Sequence, residues 1–243
     1  MVKNKGNKDL SSLSVNDSSM QIITRGDKKS IKKVTRINKE FRGNISLIFQ
    51  YTLNYIKSLQ MADISLPEIY ESRHTDDELI FECEYVGENI LNYLEPENFE
   101  HTIKEQKIFP YILQCLKNAQ ISNINFDPHP KNYVLKDGLL NYVDFTPPWH
   151  EDYYSLRKGI SNSSKDKKIL EEFFECFNPE NIGYHLAGDL LKLNLELESK
   201  LELLYKELLK KNIISGTYTA FLDKAKEIKR RETLREELDI YLL

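Results

Sequence analysis

Long apolar runs are absent from this 243-residue chain, and with them any segment able to cross a bilayer, which takes about 20 consecutive apolar residues. The opening residues, Met1-Val2-Lys3-Asn4-Lys5, lack the apolar core of a secretory signal. Cysteine is scarce. Cys83, Cys115 and Cys176 are widely spaced, odd in number and form no C-x-x-C pair, which argues against a disulfide framework or zinc site and for free, buried thiols. Histidine is scarce too. His150, with Trp149, follows Asp144 closely and either borders a pocket there or packs the loop, while His74 lies in a polar turn, His101 opens a helix, and His185 begins an amphipathic one. None of these has partners at metal-ligand spacing. With 40% apolar and 30% charged residues, the expectation is a globular, cytoplasmic protein without a membrane span.

The net charge of −4 conceals an asymmetry. Residues 1–44 hold eight Lys and three Arg against three Asp and one Glu, a net of +7, so the remainder carries −11. A basic segment attracts anions, but no aromatic interleaving or recognised module accompanies it, and nucleic acid is not an expected partner. Residues 1–18 read as a flexible basic leader.

What is there concentrates in Asn125–Pro148. Asp127 is followed five residues on by Asn132, and Asp144 comes twelve residues later. Between them two apolar runs, Tyr133–Leu135 and Leu139–Val143, flank Lys136-Asp137-Gly138. An Asp-Gly pair between such runs is a strong hairpin signal. A hairpin brings Asp127, Asn132 and Asp144 to one end. Asp, Asn and Pro are also ordinary turn residues, so Asp127 and Asn132 could equally cap a turn. Three oxygen-bearing side chains suit phosphoryl transfer, which needs an orienter for the attacking hydroxyl and oxygen ligands for magnesium.

The stretch resembles the catalytic loop and metal-binding strand end of the protein-kinase-like superfamily, especially its compact bacterial small-molecule kinases. The resemblance implies Asp127 as the catalytic Asp, and Asn132 and Asp144 as magnesium ligands. His129 stands where protein kinases place a Lys facing the transferred phosphate. Asn125 replaces the usual His, Thr146 replaces the Gly of D-F-G, and no G-x-G-x-x-G loop precedes the first strands.

The order of elements agrees with that resemblance. Met20–Thr24 and Ser30–Ile37 read as a hairpin turning at Gly26. One strand Lys, Lys33 or Lys32, is implied for the nucleotide phosphates; they face opposite sides of a strand, and Lys33 is preferred. Glu40–Gln60 has helical periodicity, with Glu40 as the nearest acid for that Lys. Leu66–Ser72 and Glu78–Tyr85 read as strands. The second leads into a linker that resembles the adenine-binding segment of kinases, placing adenine beside Cys83, Glu84, Tyr85 and Val86. Glu100–Gln120 reads as a helix. Beyond Trp149, helices are expected over Lys168–Phe177, Ile182–Leu209 and Tyr218–Leu243, with a linker at Ser161–Lys167. The Leu-rich 190–209 stretch reads as core or as a homodimer seam.

The expectation is an α+β, two-lobed kinase-like fold: residues 19–88 form an N-lobe with a small antiparallel sheet and one helix, and 89–243 a reduced helical C-lobe carrying the hairpin. The implied activity is ATP- and Mg2+-dependent phosphorylation of a small-molecule hydroxyl. A pseudokinase acting as a binding module, or an atypical Ser/Thr protein kinase, are the alternatives.

Overall fold

The structure, a computed structural model, describes residues 18–25, 28–37, 39–94, 108–146, 149–160, 164–193, 198 and 200–237. It is an α+β protein whose chain divides into two compact units. The first holds the described residues up to Gln50 together with Pro67–Tyr85. The second holds Tyr51–Leu66 and the described residues from Val86 onward.

In the first unit, β1 (Ser18–Arg25), β2 (Lys28–Arg36), β3 (Ile69–His74) and β4 (Glu78–Glu84) form an antiparallel sheet in the order β1-β2-β4-β3. The β3 start lies after Pro67, three residues later than expected, because proline has no N–H for the ladder. A short turn follows β3, where the Thr75 hydroxyl accepts the amides of Asp77 and Glu78. Strand β4 is buried from Leu79 to Cys83, on both faces. On one face Phe81 meets Phe49 at 5.9 Å between ring centroids.

Helix α1 (Ile45–Met61) runs from the first unit into the second. A 3-10 segment, Lys39–Asn44, precedes it, so the helix proper starts five residues after Glu40. The side chain of Glu40 lies outside the described residues. In the second unit, α2 is Ile108–Ile121; the expected start at Glu100 also falls outside them. Pro110 sits in the first turn of α2, where its missing N–H costs nothing.

The expected hairpin is present as β6 (Tyr133–Lys136) and β7 (Leu139–Tyr142), with a two-residue β5 (Glu88–Asn89) added on β6. Asp137 and Gly138 turn it with φ of 52° and 78°, the two positive values that a type I′ turn needs and that this residue pair tolerates. The outer edge of β7 is covered by Ser65, whose carbonyl accepts from the Tyr142 amide at 2.8 Å.

Helices α3 (Glu151–Ile160), α4 (Ser164–Glu175), α5 (Ile182–Leu193), α6 (Leu201–Lys210) and α7 (Tyr218–Glu237) complete the unit. Two expected helix bounds are corrected here, and one helix not singled out in the sequence is added. Residues 164–167 belong to α4, not to a linker. A helix, α3, follows directly on His150. The single helix expected over Ile182–Leu209 is two, ending at Leu193 and resuming at Leu201. Helix α5 is buried on every side from Ile182 to Leu191, so it is the hub of the unit and not an amphipathic surface helix. Leu201, Leu204 and Leu208 of α6 are likewise core.

Helices α1, α2 and α6 end alike. Asp63, Asn123 and Asn212 adopt φ of 55°, 52° and 53°, and the following Ile64, Ile124 and Ile213 each donate back to a carbonyl five residues earlier. This is the Schellman closure, with an Asx residue in the left-handed position and an apolar residue after it. The second of these closures, on α2, delivers the chain to Asn125.

Candidate phosphotransfer site

Between the α2 closure and β6 the chain is fixed residue by residue. The Tyr55 hydroxyl donates to the Asn125 carbonyl at 3.0 Å. Phe126 is fully buried, donates its amide to the Phe177 carbonyl at 2.9 Å, and packs its ring on Tyr142 at 4.5 Å. Asp127 follows, half-buried. Its Oδ1 accepts the His129 amide at 3.0 Å, the Asx turn that Asp, Pro and His at these positions favour. His129 Nδ1 in turn accepts the Lys131 amide at 3.1 Å and caps the 3-10 turn Pro130–Asn132.

That turn buries Asn132 and gives its Nδ2 a long bond, 3.5 Å, to the Asp127 carbonyl. The amide of Val143 donates to the Asn132 carbonyl at 2.8 Å, extending the ladder that pairs Tyr133 with Tyr142. Asn132 therefore stands opposite Val143, one residue before Asp144. Both ends of the hairpin meet, as the spacing requires.

The surroundings of two buried phenols reflect the same convergence. The Tyr55 hydroxyl is pushed well above its ordinary range by burial first, then by Asp144 and Asp127. Tyr142 is raised by burial, then by Tyr55, Asp144 and Asp127. Two carboxylates seventeen residues apart in sequence thus act on the same buried phenols. The donor set presented, a carboxylate on Asp144 and the Oδ1 of Asn132, is all oxygen. Such donors fit a hard cation that keeps waters and phosphate oxygens as its other ligands.

The remaining expected site residues are divided between the two units. In the first unit, Lys33 is paired with Phe81 and Lys32 with Glu82 across the β2–β4 ladder. Directly opposed residues share a face, so Lys33 stands on the face where Phe81 meets α1, beside the Cys83 thiol. Burial pushes that thiol up to about 11, with Lys33 opposing the rise. Lys32 stands on the other face, with Glu82, whose carboxylate accepts from the Ser30 hydroxyl at 2.8 Å. The amides of Glu84 and Tyr85 are taken by the carbonyls of Glu68 and Lys29, so these two are engaged in the sheet. Val86 is buried and begins the second unit. His150 caps α3 through the Asp152 amide and stacks on Tyr51. Trp149 is buried flat against Phe177 at 3.7 Å.

Sequence reasoning passed over one pair. His185 and Asp189, four residues apart on α5, are fully buried, with Nε2 and Oδ2 3.7 Å apart. Their polar atoms and a carboxylate oxygen of Asp127 all lie within 4.8 Å of one another. The signal available was a His and an Asp on one helical face, in a stretch that is otherwise Ile, Leu, Ala, Tyr and Gly. No protein-family model matches the chain, and no curated protein matches it in sequence.

Proposed function

We propose that the protein is an ATP- and Mg2+-dependent phosphotransferase acting on a hydroxyl of a small molecule such as a sugar, antibiotic or metabolite. The observation that carries this reading is the meeting of Asp127, Asn132 and Asp144 at the open end of one hairpin, with both carboxylates acting on Tyr55. Asp127 orients the acceptor hydroxyl and takes its proton as the new O–P bond forms and the bond to the ADP oxygen breaks. Asn132 and Asp144 would hold magnesium, which supplies charge neutralisation at the β and γ phosphates. Lys33 is assigned to the nucleotide phosphates, Glu84–Val86 to adenine and His129 to the transferred phosphate by resemblance alone.

Thermal unfolding with and without Mg-ATP, on the wild type and Asp144→Ala, tests the reading. Nucleotide at about 100 times its dissociation constant stabilises the native state by about 2.7 kcal/mol. The shift is expected to require magnesium and to be lost in Asp144→Ala. No shift at millimolar Mg-ATP removes the enzyme reading. A shift without any phosphate transfer favours the pseudokinase alternative, which the absence of Asp and Glu from Ile45 to Met61 of α1 supports.

A further inference from the structure

The chain reaches Asp127 through one peptide group that is held at both poles, the group joining Asn125 to Phe126. Its carbonyl accepts the Tyr55 hydroxyl at 3.0 Å, and its amide donates to the Phe177 carbonyl at 2.9 Å. A peptide group is planar, so the chain turns only about the dihedrals on either side of it. Bonds at both poles fix how the plane is rotated, and with it the direction in which the chain leaves toward Asp127. Phe126 adds little freedom, because its ring is fully buried and packs on Tyr142 at 4.5 Å. Downstream, the Asp127 carboxylate is closed on the His129 amide. Without the bond from Tyr55 the plane is held at one pole alone.

The two poles come from different kinds of element. Phe177 lies in the turn after α4 and offers a backbone carbonyl. Tyr55 offers a side chain from α1, with its ring fully buried. A tyrosine placed this way puts an apolar body in the core and its hydroxyl on a polar partner. The hydroxyl stays a donor at neutral pH, because burial first, then Asp144 and Asp127, holds its pKa well above the ordinary range. Helix α1 is firmly seated around it: Ile56 and Leu59 are buried, and the Ile64 amide closes on the Leu59 carbonyl. The segment leaving α1 also holds the exit strand of the hairpin. The Ser65 carbonyl accepts the Tyr142 amide at 2.8 Å, and the Ser65 hydroxyl donates to Oδ1 of Asn141 at 2.9 Å. One helix and its tail thus hold the chain where it enters the Asp127 loop and along β7.

We propose that Tyr55 is a positioning residue: through the Asn125 carbonyl, its hydroxyl sets the entry to the Asp127 loop and so the placing of the Asp127 carboxylate for transfer. The hold on the loop stands without the phosphotransfer reading; its effect on transfer rests on that reading.

The experiment is amide hydrogen exchange by NMR on the full chain, with no nucleotide present, in the wild type, Tyr55→Phe and Tyr133→Phe. Loss of the Tyr55 hydroxyl is expected to speed exchange at Phe126 and His129 about 10-fold, the scale of one hydrogen bond, and to leave the amides of α5 unchanged. Tyr133 supplies the control, since its hydroxyl is buried too and has no hydrogen-bond partner among the described residues; Tyr133→Phe is expected to leave the loop amides at wild-type rates. Unchanged exchange at Phe126 and His129 in Tyr55→Phe overturns the proposal. So does equal acceleration throughout α5, which would make the hydroxyl a general stabiliser. Transfer of phosphate from Mg-ATP to water is the second readout. Tyr55→Phe is expected to lower kcat roughly 100-fold, the scale of a misplaced catalytic group, with KM for ATP unchanged. An unchanged kcat with a loosened loop overturns the positioning role. Para-aminophenylalanine at position 55 keeps the ring and returns an N–H donor, and is expected to restore both readouts; failure to restore them overturns the proposal, and this variant decides alone if Tyr55→Phe does not fold. A loop loosened by Tyr55→Phe in a protein whose wild type neither binds nor hydrolyses Mg-ATP removes the phosphotransfer reading, while leaving the hold of Tyr55 on the loop standing.

Discussion

The hairpin entered through Asp127 and the helix that carries His185 contribute to the same few ångströms, yet they are built on opposite principles. The hairpin is written locally. Asp137-Gly138 takes the positive φ values of its turn, Asp127 closes its own Asx turn on His129, and each step uses neighbours in sequence. Helix α5 is written globally. Its residues make one helix like many others, and only the elements packed around it bury His185 and Asp189. Local chemistry places the groups proposed to meet substrate, and tertiary burial places the His185–Asp189 pair within 4.8 Å of one of them. The two regions should therefore fail in different ways.

Alkali should strike the hairpin side hardest. Tyr55, Tyr133 and Tyr142 are raised by burial as the first cause, and burial lifts Cys115 from 9.0 to about 12. Native pKa values above the unfolded ones mean that the unfolded chain ionises first. Stability from these groups is full below about pH 9, and is lost as pH rises through the native values. Each thiol should cost about 1.4 kcal/mol per pH unit above 9. Urea unfolding at about pH 8 and about pH 10.5 should show several kcal/mol of loss in total; a flat profile would mean that these groups are hydrated.

Core truncation should separate the regions next. Leu190→Ala, at a fully buried site on α5, is expected to cost about 3 kcal/mol. Leu139→Ala, on a hairpin residue that is 71% exposed, should change stability by less than about 0.5 kcal/mol. Similar values for both would erase the contrast between hub and rim.

A finer comparison uses two glycines. Gly188→Ala forces the α5–α7 approach apart at the Ala225 carbonyl, and overpacking of this kind costs about 2 kcal/mol even after some gain in helix propensity. Gly138→Ala meets no atom within 4 Å, so only its φ of 78° opposes a side chain, at about 1 kcal/mol. Denaturant midpoints in the reverse order would mean that turn conformation outweighs helix contact.

The same division explains what could be read in advance. The first-unit hairpin, the strand rich in Leu79, Phe81 and Cys83, and the β6–β7 turn all carry short-range signals, and they stand within a few residues of where the sequence puts them. Lys33 and Lys32 fall on opposite faces because alternation leaves no other outcome. Helix α3 escaped notice although Glu151 and Asp152 open it and Arg157 and Lys158 close it, charges that suit its dipole; its cap is His150, outside the usual capping set. The division between α5 and α6 was hidden because leucine periodicity continues from Leu193 to Leu201 with no Gly or Pro to interrupt it. His185 and Asp189 were hidden for a deeper reason: an i, i+4 polar pair reads as a solvated face until every side of the helix is known to be covered.

The most direct test of the central claim is broadening of the Asn132 side-chain amide signal by Mn2+ in the presence of ATP. With metal held between Asn132 and Asp144, that signal should vanish on adding Mn-ATP in the wild type and persist in Asp144→Ala. An Asn132 signal left sharp in the wild type at millimolar Mn-ATP would contradict the account.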